Sequence, residues 1–466
     1  MLTSFDDYPV HQSTGPIAET ASGDPNFYDR YFFNGYRRDA SVYFAVAMGL
    51  YPNRHVADAA FSVVTGGSAQ VNVHASRRAP NDRRDATEIG PIRVEVLEPL
   101  RRLAVHVDSP EHGLRASLEF TARSPAIEEP HFRLQTGVRV TMDYTRLTQF
   151  GTWEGWIELD GQRIVVAATD TWGSRDRSWG VRPVGERMAT GAPTGAPQFY
   201  WLWAPVNFDG FATHFDVNEH ADGRRWHETG FIVTDGAPAE AMRTVDYRLE
   251  WQPGTRWAEW CEIDLTGWDG RRATVRLEPL YNFQMLGIGY GHPEWSHGVW
   301  KGELAVGGDR WTLPVDDPLA PHHLHVQAVC RATYRDERGE ATGLGIFEQF
   351  VIGEHQPSGL RGLFDGFAPA GSKGEDRVAQ PNEEAHMGNP IDDDEVRPPS
   401  DEETVSPTPA ADDPSFGIEV PQPDAADQAR EVTPGSHLGH VSRGIETPEA
   451  DAIDQAMEVP IDDEVE

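Results

Sequence analysis

From about residue 27 to residue 355, apolar and polar side chains alternate with period two, and turn residues break the pattern at short intervals. The stretches 92-IRVEVLEPLRRLAVHV-107, 115-RASLEFTA-122, 156-WIELDGQRIVVAA-168, 245-VDYRLEW-251 and 274-TVRLEPL-280 are examples. Successive side chains of a strand point to opposite faces, so each run predicts a strand with one face buried. Asp-Gly occurs at 160, 209, 222, 235 and 269. That dipeptide accepts the positive φ angles of a type I′ turn, so each instance predicts a hairpin tip. No amphipathic helix longer than about three turns stands out here, which excludes a doubly wound nucleotide-binding fold and makes the expected class all-β.

The segment 151-GTWEGWIELDGQRIVV-166 aligns without a gap with 298-GVWKGELAVGGDRWTL-313, pairing Trp153 with Trp300, Gly161 with Gly308 and Arg163 with Arg310. The reading is two antiparallel β modules in tandem, residues 27–184 and 197–366, joined by a linker near 185–197 where MATGAPTGAP stands. Residues 1–26 are expected to be a flexible N-terminus. From 371 to 466 the aromatics vanish except Phe416, and 26 acidic residues face 5 basic ones, which is −21 of the chain's −35. Such a segment buries too little apolar surface to offset chain entropy and is expected to be a disordered acidic tail. Its near repeats at 389–396 (NPIDDDEV) and 459–465 (VPIDDEV) suggest either a solubilising tail or a duplicated docking motif for a basic protein partner.

The acidic balance and the absence of a basic patch argue against nucleic acid as a partner. No apolar run approaches the roughly 20 residues of a transmembrane helix, and the start, MLTSFDDYPVHQSTGP, lacks a basic and apolar leader. The expected localisation is cytoplasmic, and Cys261 and Cys330 are read as reduced thiols in a β core.

Chemistry is sought first in 173-GSRDRSWGVR-182. Strand alternation puts Asp176, Ser178 and Gly180 on one face and Arg175, Arg177 and Trp179 on the other. An inward Asp176 among aromatics would have its pKa raised by desolvation and lowered by a nearby arginine, which suits a general acid. The competing reading is a structural ion pair that clamps the modules together. Fourteen tryptophans offer walls for an apolar cavity, Trp172, Trp179, Trp201 and Trp203 among them. In 289-GYGHPEWSHGVW-300, His292, Trp295 and His297 are placed to face a cavity mouth. The run 321-PHHLHVQ-327 would set His323 and His325 on one strand face, a metal-compatible spacing whose third ligand would be His292, His297, His214 or Glu348. Satisfied strand histidines are the preferred reading, and no metal or cofactor is assigned. GxSxG, P-loop, GxGxxG and HExxH patterns are absent.

Three segments together, 173-GSRDRSWGVR-182, 198-QFYWLWAPVNFDG-210 and 287-GIGYGHPEWSHGVWKGEL-304, resemble the proteins built from two lipocalin-like β modules. That group contains the carotenoid 1,2-hydratases (hydroxyneurosporene synthases), AttH-like proteins and related terpene cyclases and Diels-Alderases. The resemblance covers roughly residues 27 to 355. It implies two barrels or half-barrels with a hydrophobic ligand within or between them, and catalysis without a cofactor. Carried onto this chain, Asp176 would be the acid, Arg175 and Arg182 would support it, and Trp179, Tyr200 and Trp201 would line the pocket. The hydratases' other catalytic positions find no match here.

The leading expectation is an enzyme acting on an isoprenoid, steroid or polyketide-like molecule by hydration, cyclisation or isomerisation. Its catalytic set would be Asp176, Arg175, Arg182 and His297. Trp172, Trp179, Tyr200, Trp201, Trp203, His292 and Trp295 would bind the ligand. A non-catalytic carrier of a hydrophobic ligand is the alternative, and a scaffold acting through its acidic tail is the third reading.

Overall fold

The computed structural model describes residues 2–9, 19–80, 85–185 and 196–368. The acidic tail 371–466, with both near-repeat motifs, and nearly all of the expected linker lie outside the described residues. The described chain is all-β, its helix confined to single 3-10 turns. The strands form two antiparallel sheets. Neighbour to neighbour, the first runs Leu304–Thr312, Ala69–Arg78, Val56–Thr65, Val42–Tyr51, Phe27–Arg37, Thr171–Val181, Arg139–Leu159, Leu114–Ala122, Arg102–Ser109, Ile92–Glu98 and Glu88–Ile89. The second runs Glu240–Ala241, Arg225–Thr234, Phe211–Glu219, Phe199–Trp203, Gly339–Ile352, Val326–Asp336, Arg272–Gln284, Ala258–Thr266 and Thr244–Trp251.

Each sheet curls around its own apolar core, because a one-sided β surface this wide is buried best by closing on itself. In the first, a Cβ placed on Gly90 at one end would lie 3.2 Å from Ala75 near the other. Phe33, Phe44, Phe61, Phe120 and Trp153 fill the space between, with the Trp153 indole N–H donating to the Asn34 carbonyl at 2.9 Å. In the second, Arg225 Nη1 donates to the Val245 carbonyl at 2.6 Å across the two ends. Leu202, Phe215, Phe347 and the free thiols Cys261 and Cys330 pack inside. A further aromatic cluster, including Phe32, Tyr43, Trp172, Trp203 and Phe283, joins the two sheets.

All five Asp-Gly pairs do sit at turns between paired strands. Only at 160 do both residues have positive φ (50° and 78°); at the other four the glycine alone is left-handed, so the type I′ expectation holds once.

Two expectations need correction. The internal repeat does not make matching hairpins: Leu304–Thr312 is one straight strand, pairs with Ala69–Arg78 of the first sheet, and has Gly308 in its interior where Gly161 makes a turn. The segment 197–366 therefore contributes to both sheets. Nor is the N-terminus merely a flexible lead: Asp7 is fully buried and accepts from Arg175 Nη1 at 2.5 Å and from the Leu100 N–H. The physical reason is that Arg175 projects into the first sheet's interior and needs a carboxylate there. Asp7→Ala should lower the unfolding free energy by about 3 kcal/mol, because Arg175 stays buried with Gln149 as its remaining side-chain partner; urea denaturation checks this.

Candidate functional site

The strand Thr171–Val181 lies between Phe27–Arg37 and Arg139–Leu159, and its register lines up three rows on the face toward the second sheet. Tyr28, Gly180 and Tyr144 form one row, Arg30, Ser178 and Arg146 the next, and Phe32, Asp176 and Thr148 the third. Facing them from the second sheet are a row of Trp201, Asn218 and Phe350 and a row of Trp203, Asp216 and Glu348. Phe32 meets Trp203 edge to face at 6.3 Å. Gly180 has φ 138°, and a Cβ there would lie 2.6 Å from the Tyr144 Cα, so the glycine of the Trp-Gly pair is required by close approach.

Between these faces opens a cleft of about 730 Å³ of atom-free space, its mouth included. Phe199, Trp201, Phe350, Met142, Tyr144 and Tyr290 wall it, with Arg30, Arg182, His297 and His325 as its charged or titratable members. Two of these histidines have a carboxylate behind them. His325, 1% exposed, meets Glu348 Oε1 through Nε2 at 2.6 Å, and its Nδ1 has no partner among the described residues. Gln327 Nε2 donates to the other Glu348 oxygen at 2.6 Å, and Tyr43 donates to Gln327. His297 Nδ1 lies 3.5 Å from Asp58, with Nε2 unpartnered among the described residues. Burial, reinforced by Arg30 and Arg182, holds His297 well below the usual histidine range, so its ring is neutral at pH 7. The Tyr290 ring lies 4.8 Å from His297 and 4.7 Å from His325.

One row deeper, partly exposed and outside the cleft lining, stands Asp176. Burial pushes its carboxyl up to about 7; Arg146 opposes this, while Glu129 and Glu348 add to it. Beside it is a buried charge cluster. Arg146 donates to Glu129 through Nε at 2.9 Å and Nη2 at 2.6 Å, and also to Asp216, which accepts from the Trp201 indole at 2.9 Å. Burial would raise Glu129, yet Arg146 and His214 overcome it and hold the carboxyl below its usual range. Burial pushes Asp216 up to about 7 against Arg146, and the neighbouring Glu129 carboxylate adds to the rise.

The structure thus brings Arg182, His297 and Trp201 to the cleft, with Asp176 a row behind. The other expected site residues lie elsewhere. Arg175 is on the opposite face, fully buried with Asp7 and Gln149, so it does not support Asp176. Trp179 shares that face, 6.0 Å from Arg177. Tyr200 points into the second sheet's core, with its hydroxyl accepting from Tyr247 at 2.9 Å. Trp203 is buried between the sheets, and Trp172 packs under Arg38 at 4.1 Å. His292 and Trp295 cluster with His74, which the register places on the same face as Asp176 but three strands beyond Phe27–Arg37 along the sheet: His292 Nε2 contacts Asp309 at 2.8 Å, and Trp295 stacks on His74 at 5.6 Å. His323 lies in a 3-10 turn and His325 before the next strand, so they share no strand face.

Among the described residues two groups have spacing compatible with a metal: His74, His292 and Asp309; and Glu129, Asp216 and His227. In the first, His292 Nδ1 accepts from the Glu294 and Trp295 amides, both at 3.0 Å, so Nε2 carries the proton and donates to Asp309. A metal-binding histidine is oriented the other way, giving its second N–H to an acceptor. In the second, Arg146 already fills the cation position. Neither donor set fits a metal.

Sequence reading missed Arg30, Tyr144, Tyr290, the Arg146 cluster and the pairing of His325 with Glu348. One signal was present in 27-FYDRYFF-33, where Arg30 interrupts an otherwise aromatic strand face.

Among the described residues no helix is long and apolar enough to cross a membrane. Among solved structures, the chain is similar to an AttH-like protein of Nitrosomonas europaea (13% identity, 70% of this chain and 92% of that one, TM-score 0.46). It is also similar to kievitone hydratase of Nectria haematococca (11%, 69% and 88%, 0.44) and to CghA (13%, 74% and 95%, 0.40). No curated protein matches the sequence. The model described as "Family of unknown function (DUF8625)" matches residues 2–361, and the chain therefore belongs to that family.

Proposed function

We propose that the protein is an enzyme that moves protons on a largely apolar small molecule, by hydration, cyclisation or isomerisation, using its own side chains. The observation that carries this reading is His325: buried at an aromatic cleft, with Glu348 at 2.6 Å on one ring nitrogen and no partner among the described residues on the other. A carboxylate on Nε2 fixes the N–H there and leaves the Nδ1 lone pair to accept a proton. Asp176, one row deeper than the cleft lining, keeps its proton up to about pH 7 and is assigned as the acid for a ligand that reaches past the lining residues. The aromatic walls exclude water from a charge forming on the ligand.

The test is to incubate the full-length protein with a small-molecule extract of the cells that make it. Bound and released compounds are then compared by native mass spectrometry and chromatography. A bound compound whose mass or retention time changes is the expected result, with His325→Gln keeping the ligand and slowing conversion by about 10²–10⁴-fold. A ligand returned unchanged by the native protein sinks the catalytic reading and leaves a carrier.

A further inference from the structure

Two arginines reach the cleft and, among the described residues, no carboxylate lines it. Arg30 is 1% exposed, and its Nη2 donates to the Tyr51 hydroxyl at 3.0 Å. Its Nε and Nη1 have no hydrogen-bond partner among the described residues. Arg182, partly exposed, stands 4.8 Å from the Tyr28 ring centroid and 5.6 Å from that of Tyr290. Arg30 in turn stands 5.0 Å from the Tyr290 ring. Neither arginine forms an ion pair among the described residues, so aromatic faces stand where carboxylates would be expected. The nearby acids are otherwise engaged. Asp58 reaches Arg30 only through the Tyr51 hydroxyl, which donates to it at 3.1 Å, and Asp58 also accepts from the Gly298 amide at 2.6 Å. Glu348 is taken by His325 and Gln327, and Asp176 lies a row deeper.

A buried guanidinium with idle donors is costly unless a ligand satisfies it, and its planar fork matches a carboxylate. We propose that the cleft binds an organic carboxylate, its oxygens held by Arg30 and Arg182 and its apolar body laid against Phe199, Trp201 and Phe350. This names the substrate class of the site read above as catalytic, and rests on that reading only for what happens after binding.

The probe is cinnamate against its neutral isostere cinnamamide, titrated calorimetrically into the full-length protein at low salt. Cinnamate should bind at least about ten-fold more tightly. Arg182→Met should bring the ratio close to one while leaving the melting temperature unchanged. Arg30→Met should do the same and melt no lower, because it removes a buried charge with no carboxylate partner. Equal binding of the two probes, binding of neither, or an unchanged ratio in Arg182→Met overturns the proposal. His325→Gln separates the two readings. It should keep the preference for the anion, so a preference without turnover in the native protein removes only catalysis, and turnover without a preference removes only the anion site.

Discussion

Replacing Arg146 with Met should lower the unfolding free energy by about 4–5 kcal/mol, the largest loss expected from any single change in this protein. Arg146 is the cation between Glu129 and Asp216, and all three side chains are buried where the two sheets meet. Glu129 comes from the segment before Arg139–Leu159 of the first sheet, and Asp216 from Phe211–Glu219 of the second. Without the guanidinium, two carboxylates remain in a low-dielectric space with Thr148, Trp201 and two weakly placed histidines as partners. Chemical denaturation of the full chain reads this directly. Adding Glu129→Gln and Asp216→Asn to Arg146→Met should recover most of the loss, since neutral amides no longer need the cation. A loss below about 1 kcal/mol would mean that water reaches the cluster and screens it.

Asp176→Asn should do the opposite to stability while slowing turnover. The folded pKa of about 7 lies above the value near 4 of an unfolded aspartate, so the native state holds the proton more tightly. The stability linked to this group is fully present below about pH 4 and is lost as pH rises through about 7. An asparagine imitates the protonated acid at every pH. At pH 8 the variant should therefore be more stable than the native protein by roughly 2–4 kcal/mol, and equal to it near pH 4. The native decline should become shallower without vanishing, because Asp58 and Asp216 are raised in the same sense, to about 6 and about 7. Ligand binding should persist while conversion falls by about 10²-fold or more. A structural clamp predicts the reverse, a variant weaker by several kcal/mol at pH 8, so one pair of melting curves decides between acid and clamp.

Much of this was legible in local pattern. Period-two alternation along 92–107, 115–122 and 274–280 became strands, and five Asp-Gly pairs became turns. The same alternation put Asp176 on the face away from Arg175, as the structure has it. Other features had no local signal. Asp7 and Arg175 are 168 positions apart, and Asn72 and Asp309 are 237 apart. The internal repeat misled for a related reason. A Trp-Gly entry and a glycine eight residues later suit a hairpin by sequence, but Gly308 stays extended because its strand finds a full-length partner in Ala69–Arg78.

The amino-acid sequence by itself determined the strands, their turns and which side chains share a face, because side-chain direction and turn chemistry depend on residues one to four apart. Only the tertiary structure decided which faces meet, and hence that Arg30, Arg182, His297 and His325 share one cleft and that Arg146 joins two carboxylates from different sheets. Sheet pairing and sheet packing are set by burying whole surfaces at once, and no short stretch of this chain carries that sum.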